Sequence, residues 1–219
     1  VDDRIGHLIA DSKNPTVGVL AHPGQVDVRI AALAESVEEA NKLIDPVDTE
    51  VRNLLGDNIF AVDDDTIESI VGDLVKKNNA TVATCEDLSG GSVASAIQKA
   101  ADSAFLQSSI VNSNEALEKI ARTGGETPPF ADGGERAAAL ARAIKKTTGA
   151  TYGIAVHGTE EGDQRTENLG RGETYIVVSG PKGERTRHVR SAGRGGPDRQ
   201  RAAMGALSLF RRELLGLPE

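Results

Sequence analysis

Residues 80–91 read ATVATCEDLSGG, and this stretch decides the fold. Its first five residues, ATVAT, are a short apolar run of the kind that forms a buried strand. Gly90 and Gly91 follow, and the chain then enters an alanine-rich pattern that predicts a helix over roughly 91–107. A strand that turns through glycines into a helix is the repeating step of a layered α/β sheet. Such a turn leaves backbone N–H groups at the helix N-terminus, where they attract a phosphate or carboxylate. The same residues also have a purely structural use, with Ser89 as an N-cap and the glycines allowing tight packing. From spacing alone the structural use is the commoner one. The longer glycine pattern of a dinucleotide fingerprint is absent.

Outward from this turn, strands and helices alternate. Downstream, SIVNSNEALEKIAR (109–122) reads as a strand end, a turn and a helix, and residues 135–148 as an alanine-rich helix. TYGIAVHG (151–158) is a strand, TEEGDQRTENLGRG a long polar loop, and ETYIVVSG (173–180) a strand. RTRHVR continues it as a hairpin across residues 180–183, and a last helix closes the chain. Upstream, Asp65 can cap a helix with apolar positions Ile67, Ile70, Val71, Leu74 and Val75. Residues 16–34 read as two β runs joined at Pro23-Gly24, with Val26, Val28 and Ile30 alternating with polar residues. Ser36 and Glu39 fit a capping box. A helical stripe runs from there to Gly56, with Pro46 expected to divide or kink it. NIFAV (58–62) reads as a third β run. The expected architecture is α/β: a small α+β domain over 1–63 followed by a layered α/β sandwich domain over 64–219.

Composition narrows the function classes. Aromatics make up 3% of the 219 residues and Trp is absent, so ring stacking on aromatic platforms is a poor binding mode here. Residues 1–80 carry 16 acidic and 7 basic residues, which opposes contact with a phosphate backbone there. No apolar run approaches the roughly 18 residues that span a bilayer, and no signal peptide is visible, so the chain reads as cytoplasmic. It begins with Val, which suits the later part of a longer protein. One cysteine, Cys85, excludes an internal disulfide and a Cys-rich zinc site. The four histidines show no metal-ligand spacing. His157 stands out because it ends a strand just before Gly158, although a lone histidine there is more often structural. The basic stretch at 182–201 holds seven Lys/Arg but is too interrupted for a nucleic-acid module.

Three motifs carry a family likeness. The chain resembles the C-terminal half of competence/damage-inducible protein A (CinA) over nearly its full length. NPTVGVLAHPGQVDVRIAALAES (14–36) looks like the start of the family's KH-type domain, and residues from about 66 onward are similar to its C-terminal domain. That resemblance implies deamidation of nicotinamide mononucleotide in active members, with no metal and no cofactor, a homodimer, and a molybdopterin-binding-like domain ahead of the KH-type one. Nucleic-acid binding through the KH-type domain is the third and least favoured reading, since no GxxG loop lies between that domain's helices and residues 1–80 are strongly acidic.

The family's glycine turn, Glu-Ser-Cys-Thr-Gly-Gly, falls on Glu86 to Gly91. Glu86, Gly90 and Gly91 match and Ser89 replaces Thr, but the nucleophilic Ser falls on Asp87. The second motif, Tyr-Ser/Thr-Asn-Glu-Ala-Lys, falls on NSNEAL (112–117), where Asn112 replaces Tyr and Leu117 replaces Lys. The third, Thr-Gly-Ile-Ala-Gly-Pro, falls on HGTEEG (157–162), with Gly158 retained. Gly172 and Tyr175 fit the glycine and strand that follow. Hydroxyl, phenol and amine are thus lost together from a set that works as a unit. Lys119 is about 200° round the helix from position 117 and should point elsewhere.

The reading is a catalytically degenerate CinA-like protein with a role in binding or assembly. Its ligand-site residues are Glu86, Ser89, Gly90, Gly91, Asn114, His157 and Gly158, for a nicotinamide-nucleotide-like small molecule, with Asp87 expected to repel an anion. The alternative is an active amidohydrolase using Ser89 or Cys85 as a rearranged nucleophile.

Overall fold

The computed structural model describes residues 1–160, 172–190 and 195–218. It divides into two units, 1–62 and 63–219. In the first, helix α1 (Asp2–Asp11) precedes strands β1 (Thr16–His22) and β2 (Gln25–Ala31), which pair antiparallel from Thr16↔Ala31 to His22↔Gln25. Helix α2 (Val37–Leu55) begins with the Ser36 hydroxyl accepting the Glu39 N–H. It passes through Pro46 as one continuous helix rather than dividing there. Ile5, Leu8, Val17, Val51 and Leu55 form the core of this unit.

NIFAV is not a strand. The chain makes a 3₁₀ turn at Gly56–Asn58, and Ile59 then packs against the core cluster instead of joining β2. Its β-like composition records apolar burial, and among the described residues the sheet keeps two strands.

The second unit opens with helix α3 (Ile67–Lys77). Its cap is Thr66 rather than Asp65: the Thr66 hydroxyl accepts the Ser69 N–H and the Ser69 hydroxyl accepts the Thr66 N–H. Strand β3 (Val82–Glu86), helix α4 (Ser92–Ala101), strand β4 (Phe105–Ile110), helix α5 (Asn114–Thr123) and helix α6 (Gly133–Thr148) follow. Helix α4 ends earlier than its alanine pattern suggests, because residues from Phe105 onward are taken up by the ladder with β3. Strands β5 (Tyr152–Glu160), β6 (Gly172–Gly180) and β7 (Gly183–Val189) and helix α7 (Gly196–Leu215) complete the unit. Most of the expected polar loop, 161–171, lies outside the described residues, as do 191–194 of the basic stretch.

The sheet order is β4-β3-β5-β6-β7, with β4, β3 and β5 parallel and β6 and β7 each antiparallel to its predecessor. Side chains alternate across it. Ala83, Cys85, Ala155 and Val177 pack with Leu117, Ala121, Ala137 and Leu140 of α5 and α6. The opposite face meets α4 and α7, and α3 packs on both of those helices. Gly153 lets α6 approach closely, since a Cβ there would lie 2.0 Å from the Ala141 carbonyl oxygen. The result is a helix–sheet–helix sandwich that follows the small α+β unit in the chain.

Candidate functional site

The end of β3 sends consecutive side chains to opposite layers. Glu86 points to α4, and its fully buried carboxylate binds that helix's first amides. Oε2 accepts the Ser89 hydroxyl at 2.6 Å and the N–H groups of Gly91 and Val93 at 3.1 Å each. Oε1 accepts the Ala94 N–H at 2.8 Å and the Thr84 hydroxyl at 3.1 Å. An internal carboxylate therefore already occupies the anion site expected at this turn. Gly90 and Gly91 adopt φ of 64° and 89°, a left-handed path that suits glycine and brings these amides round to Glu86. Glu86, Ser89, Gly90 and Gly91 thus build the turn and do not line the cleft described next.

Asp87 points the other way. Its backbone N–H extends the ladder to the Val156 carbonyl at 3.2 Å, which places its side chain beside His157 on β5. Asp87 Oδ2 lies 2.7 Å from His157 Nδ1, and Oδ1 accepts the Gly158 N–H at 3.0 Å. A carboxylate only accepts, so Nδ1 carries the hydrogen of this bond. Both residues are buried, His157 to 3% exposure, and Nε2 has no protein partner among the described residues. Asp87 is therefore engaged by donors on β5 while also lining the cleft described next.

Asp87, Asn112 and Leu117 converge on one cleft of about 360 Å³, together with Asn114, His157 and Gly158. The cleft lies at the C-terminal ends of parallel strands, the usual ligand position in an open α/β sheet. Ser113, Arg136 and Thr159 also line it. Arg136, in the first turn of α6, was invisible in the sequence, because only packing of α6 against α5 brings it here. Its Nη1 donates to Asn114 Oδ1 at 2.8 Å, and it forms no ion pair among the described residues. Ser113 caps α5 by accepting the Ala116 N–H. Asp132 caps α6 by accepting the Glu135 N–H.

The candidate nucleophiles are badly placed. Burial, with the Asp87 and Glu86 carboxylates adding to it, pushes the Cys85 thiol up to about 12, so it stays protonated and inert. Ser89 is 1% exposed and its hydroxyl is held by Glu86. Thr159 lies two residues beyond His157, but its hydroxyl makes no hydrogen bond to Nε2. Lys119 is exposed on α5 and does not line the cleft. Among the described residues, no group of three or more His, Cys, Asp or Glu could hold a metal ion, and no helix is long and apolar enough to cross a membrane. Residues 161 and 162 of the third motif lie outside the described residues.

These features define a three-layer α/β domain with a polar cleft at its strand ends, preceded by a small α+β unit. The family described as "Damage-inducible protein CinA KH domain" matches residues 1–61, and the "CinA C-terminal domain" family matches 64–214. The chain is 36% identical over 209 residues to the CinA-like protein of Frankia casuarinae, covering 94% of this chain and 48% of that one. It is 32% identical over 223 residues to the CinA-like protein of Kosmotoga olearia, covering 99% and 54%. The chain belongs to the CinA family, and it spans about half the length of these curated relatives. Two solved structures share the fold. A CinA superfamily protein from Klebsiella pneumoniae has a TM-score of 0.56 at 17% identity, covering 68% of this chain and 96% of that one. One from Escherichia coli has a TM-score of 0.53 at 20% identity, covering 74% and 96%.

Proposed function

We propose that residues 64–219 form a CinA C-terminal domain that binds a small nicotinamide-nucleotide-like molecule without hydrolysing it. The observation that carries this reading is the meeting of Asp87, Asn112 and Leu117 in one cleft. The resemblance puts a nucleophilic hydroxyl, a phenol and an amine at these positions, and the chain offers a carboxylate, an amide and an alkyl group instead. Attack on an amide needs a nucleophile beside a base that can activate it. Ser89 and Cys85, the nearest substitutes, are sealed away from the cleft, which weighs against a rearranged enzyme. The polar lining and the Arg136 guanidinium suit a small anionic ligand. Such a domain would serve binding or assembly, as a homodimer.

The test is ammonia release from nicotinamide mononucleotide, run alongside titration calorimetry with the same compound. Saturable heat with no ammonia above background is the expected result. Turnover that disappears in Ser89→Ala or Cys85→Ala would establish the rearranged enzyme instead.

A further inference from the structure

Resting on the reading that the cleft binds without a covalent step, we propose that Asp87 and His157 form a ligand-recognition dyad. His157 Nε2 accepts a hydrogen bond from a hydroxyl or N–H of the bound molecule, while Arg136 holds its anionic group. The ligand class is a small polyhydroxylated anion, carrying a phosphate or a carboxylate.

The inference begins from an unsatisfied atom. A buried imidazole nitrogen without a partner is destabilising, so native proteins rarely leave one open. Here one side of the ring is fully used: Nδ1 meets Asp87 Oδ2 at 2.7 Å, and the second Asp87 oxygen is tied to the Gly158 N–H. The bond to Asp87 fixes the orientation of the ring and, in the neutral imidazole, leaves Nε2 as an acceptor. His157 is among the residues that line the cleft, and its Nε2 is buried there without a partner, so a ligand group would have to reach it from the cleft side. Asp87 is a positioning residue, acting through the ring.

The charge at the cleft points to the other half of the ligand. Arg136 has one nitrogen fixed on Asn114 and no carboxylate partner among the described residues. Its planar fork matches a phosphate or carboxylate. The N-termini of α5 and α6 both end at this cleft and add positive potential of their own. A core histidine with only a structural duty would account for the Nδ1 bond. It would not account for a buried, unpartnered Nε2 on a residue that lines a cleft, beside a guanidinium with no carboxylate partner among the described residues.

The experiment uses the whole 219-residue chain, labelled with ¹⁵N at histidine, and three probes: ribose 5-phosphate, gluconate and inorganic phosphate. Ribose 5-phosphate or gluconate should bind and shift the His157 Nε2 resonance, and whichever binds more tightly identifies the anion. Inorganic phosphate, which lacks the carbon-bound hydroxyls, should bind at least tenfold more weakly. His157→Asn keeps an N–H near the Nδ1 position for Asp87 and removes Nε2, so it should weaken binding about tenfold with an unchanged melting temperature. Arg136→Gln should abolish binding of all three probes. An Nε2 resonance unmoved by every probe overturns the proposal, as does equal affinity in His157→Asn. Ammonia release from nicotinamide mononucleotide is a separate readout, so turnover would defeat the non-hydrolytic reading while these titrations still judge the dyad.

Discussion

Cys85, Glu86 and Asp87 are consecutive, and each meets different surroundings. Cys85 faces the alanine-rich layer of α5 and α6, where burial and its two acidic neighbours push the thiol up to about 12. An ordinary thiol loses its proton near about 8.5. The folded pKa is the higher one, so the folded chain keeps a proton that the unfolded chain releases. The thiol's contribution to stability is intact below about pH 8.5 and is lost as pH rises from there towards 12. Between pH 7.5 and 10 this component is on the order of 2 kcal/mol. Urea unfolding at the two pH values should therefore show a smaller alkaline loss in Cys85→Ala than in the unsubstituted protein, and equal losses would refute the raised pKa. The identity of these three residues was plain in the sequence, and so was the family position of Asp87. Its bond to His157, 70 residues away, was not, because it depends on which strand lies beside β3.

At the scale of elements, helix α4 shows how one residue can replace a ligand. Its N-terminal amides attract negative charge, as the glycine turn suggested. Glu86 supplies that charge from the strand before it, accepting from Gly91, Val93, Ala94 and Ser89. Glu86→Ala would leave several buried donors unpaired, at a cost of about 3 kcal/mol. The melting temperature should then fall by roughly 10 °C in a scanning-calorimetry trace. A shift below a degree would mean that the turn repacks or admits water freely. Strands β1, β2, β5 and β6 and helices α3, α5, α6 and α7 were legible from their hydrophobic periods. NIFAV and the end of α4 were misread, because a strand also requires a neighbouring ladder, which local composition does not encode.

For the whole molecule, the two units each hold buried apolar residues of their own: Ile5, Leu8, Val17, Val51 and Leu55 in the first, and the cluster of Ala83, Cys85, Leu117, Leu140 and Val177 between the sheet and α5 and α6 in the second. Residues 63–219 expressed alone should fold, giving a single cooperative thermal transition by circular dichroism with strand and helix signals retained. A non-cooperative melt would show that this unit depends on residues 1–62. By itself the sequence determined the family and most of the order of elements, and it set Asp87, Asn112 and Leu117 in the motifs that carry the resemblance. Periodicity and motif spacing are local properties that a chain carries before it folds. Only the tertiary structure decided where the buried carboxylate of Glu86 went, that Asp87 pairs with His157, and that Arg136 joins them from α6. Those partners come from strand order and helix packing, which bring together residues that the chain keeps tens of positions apart.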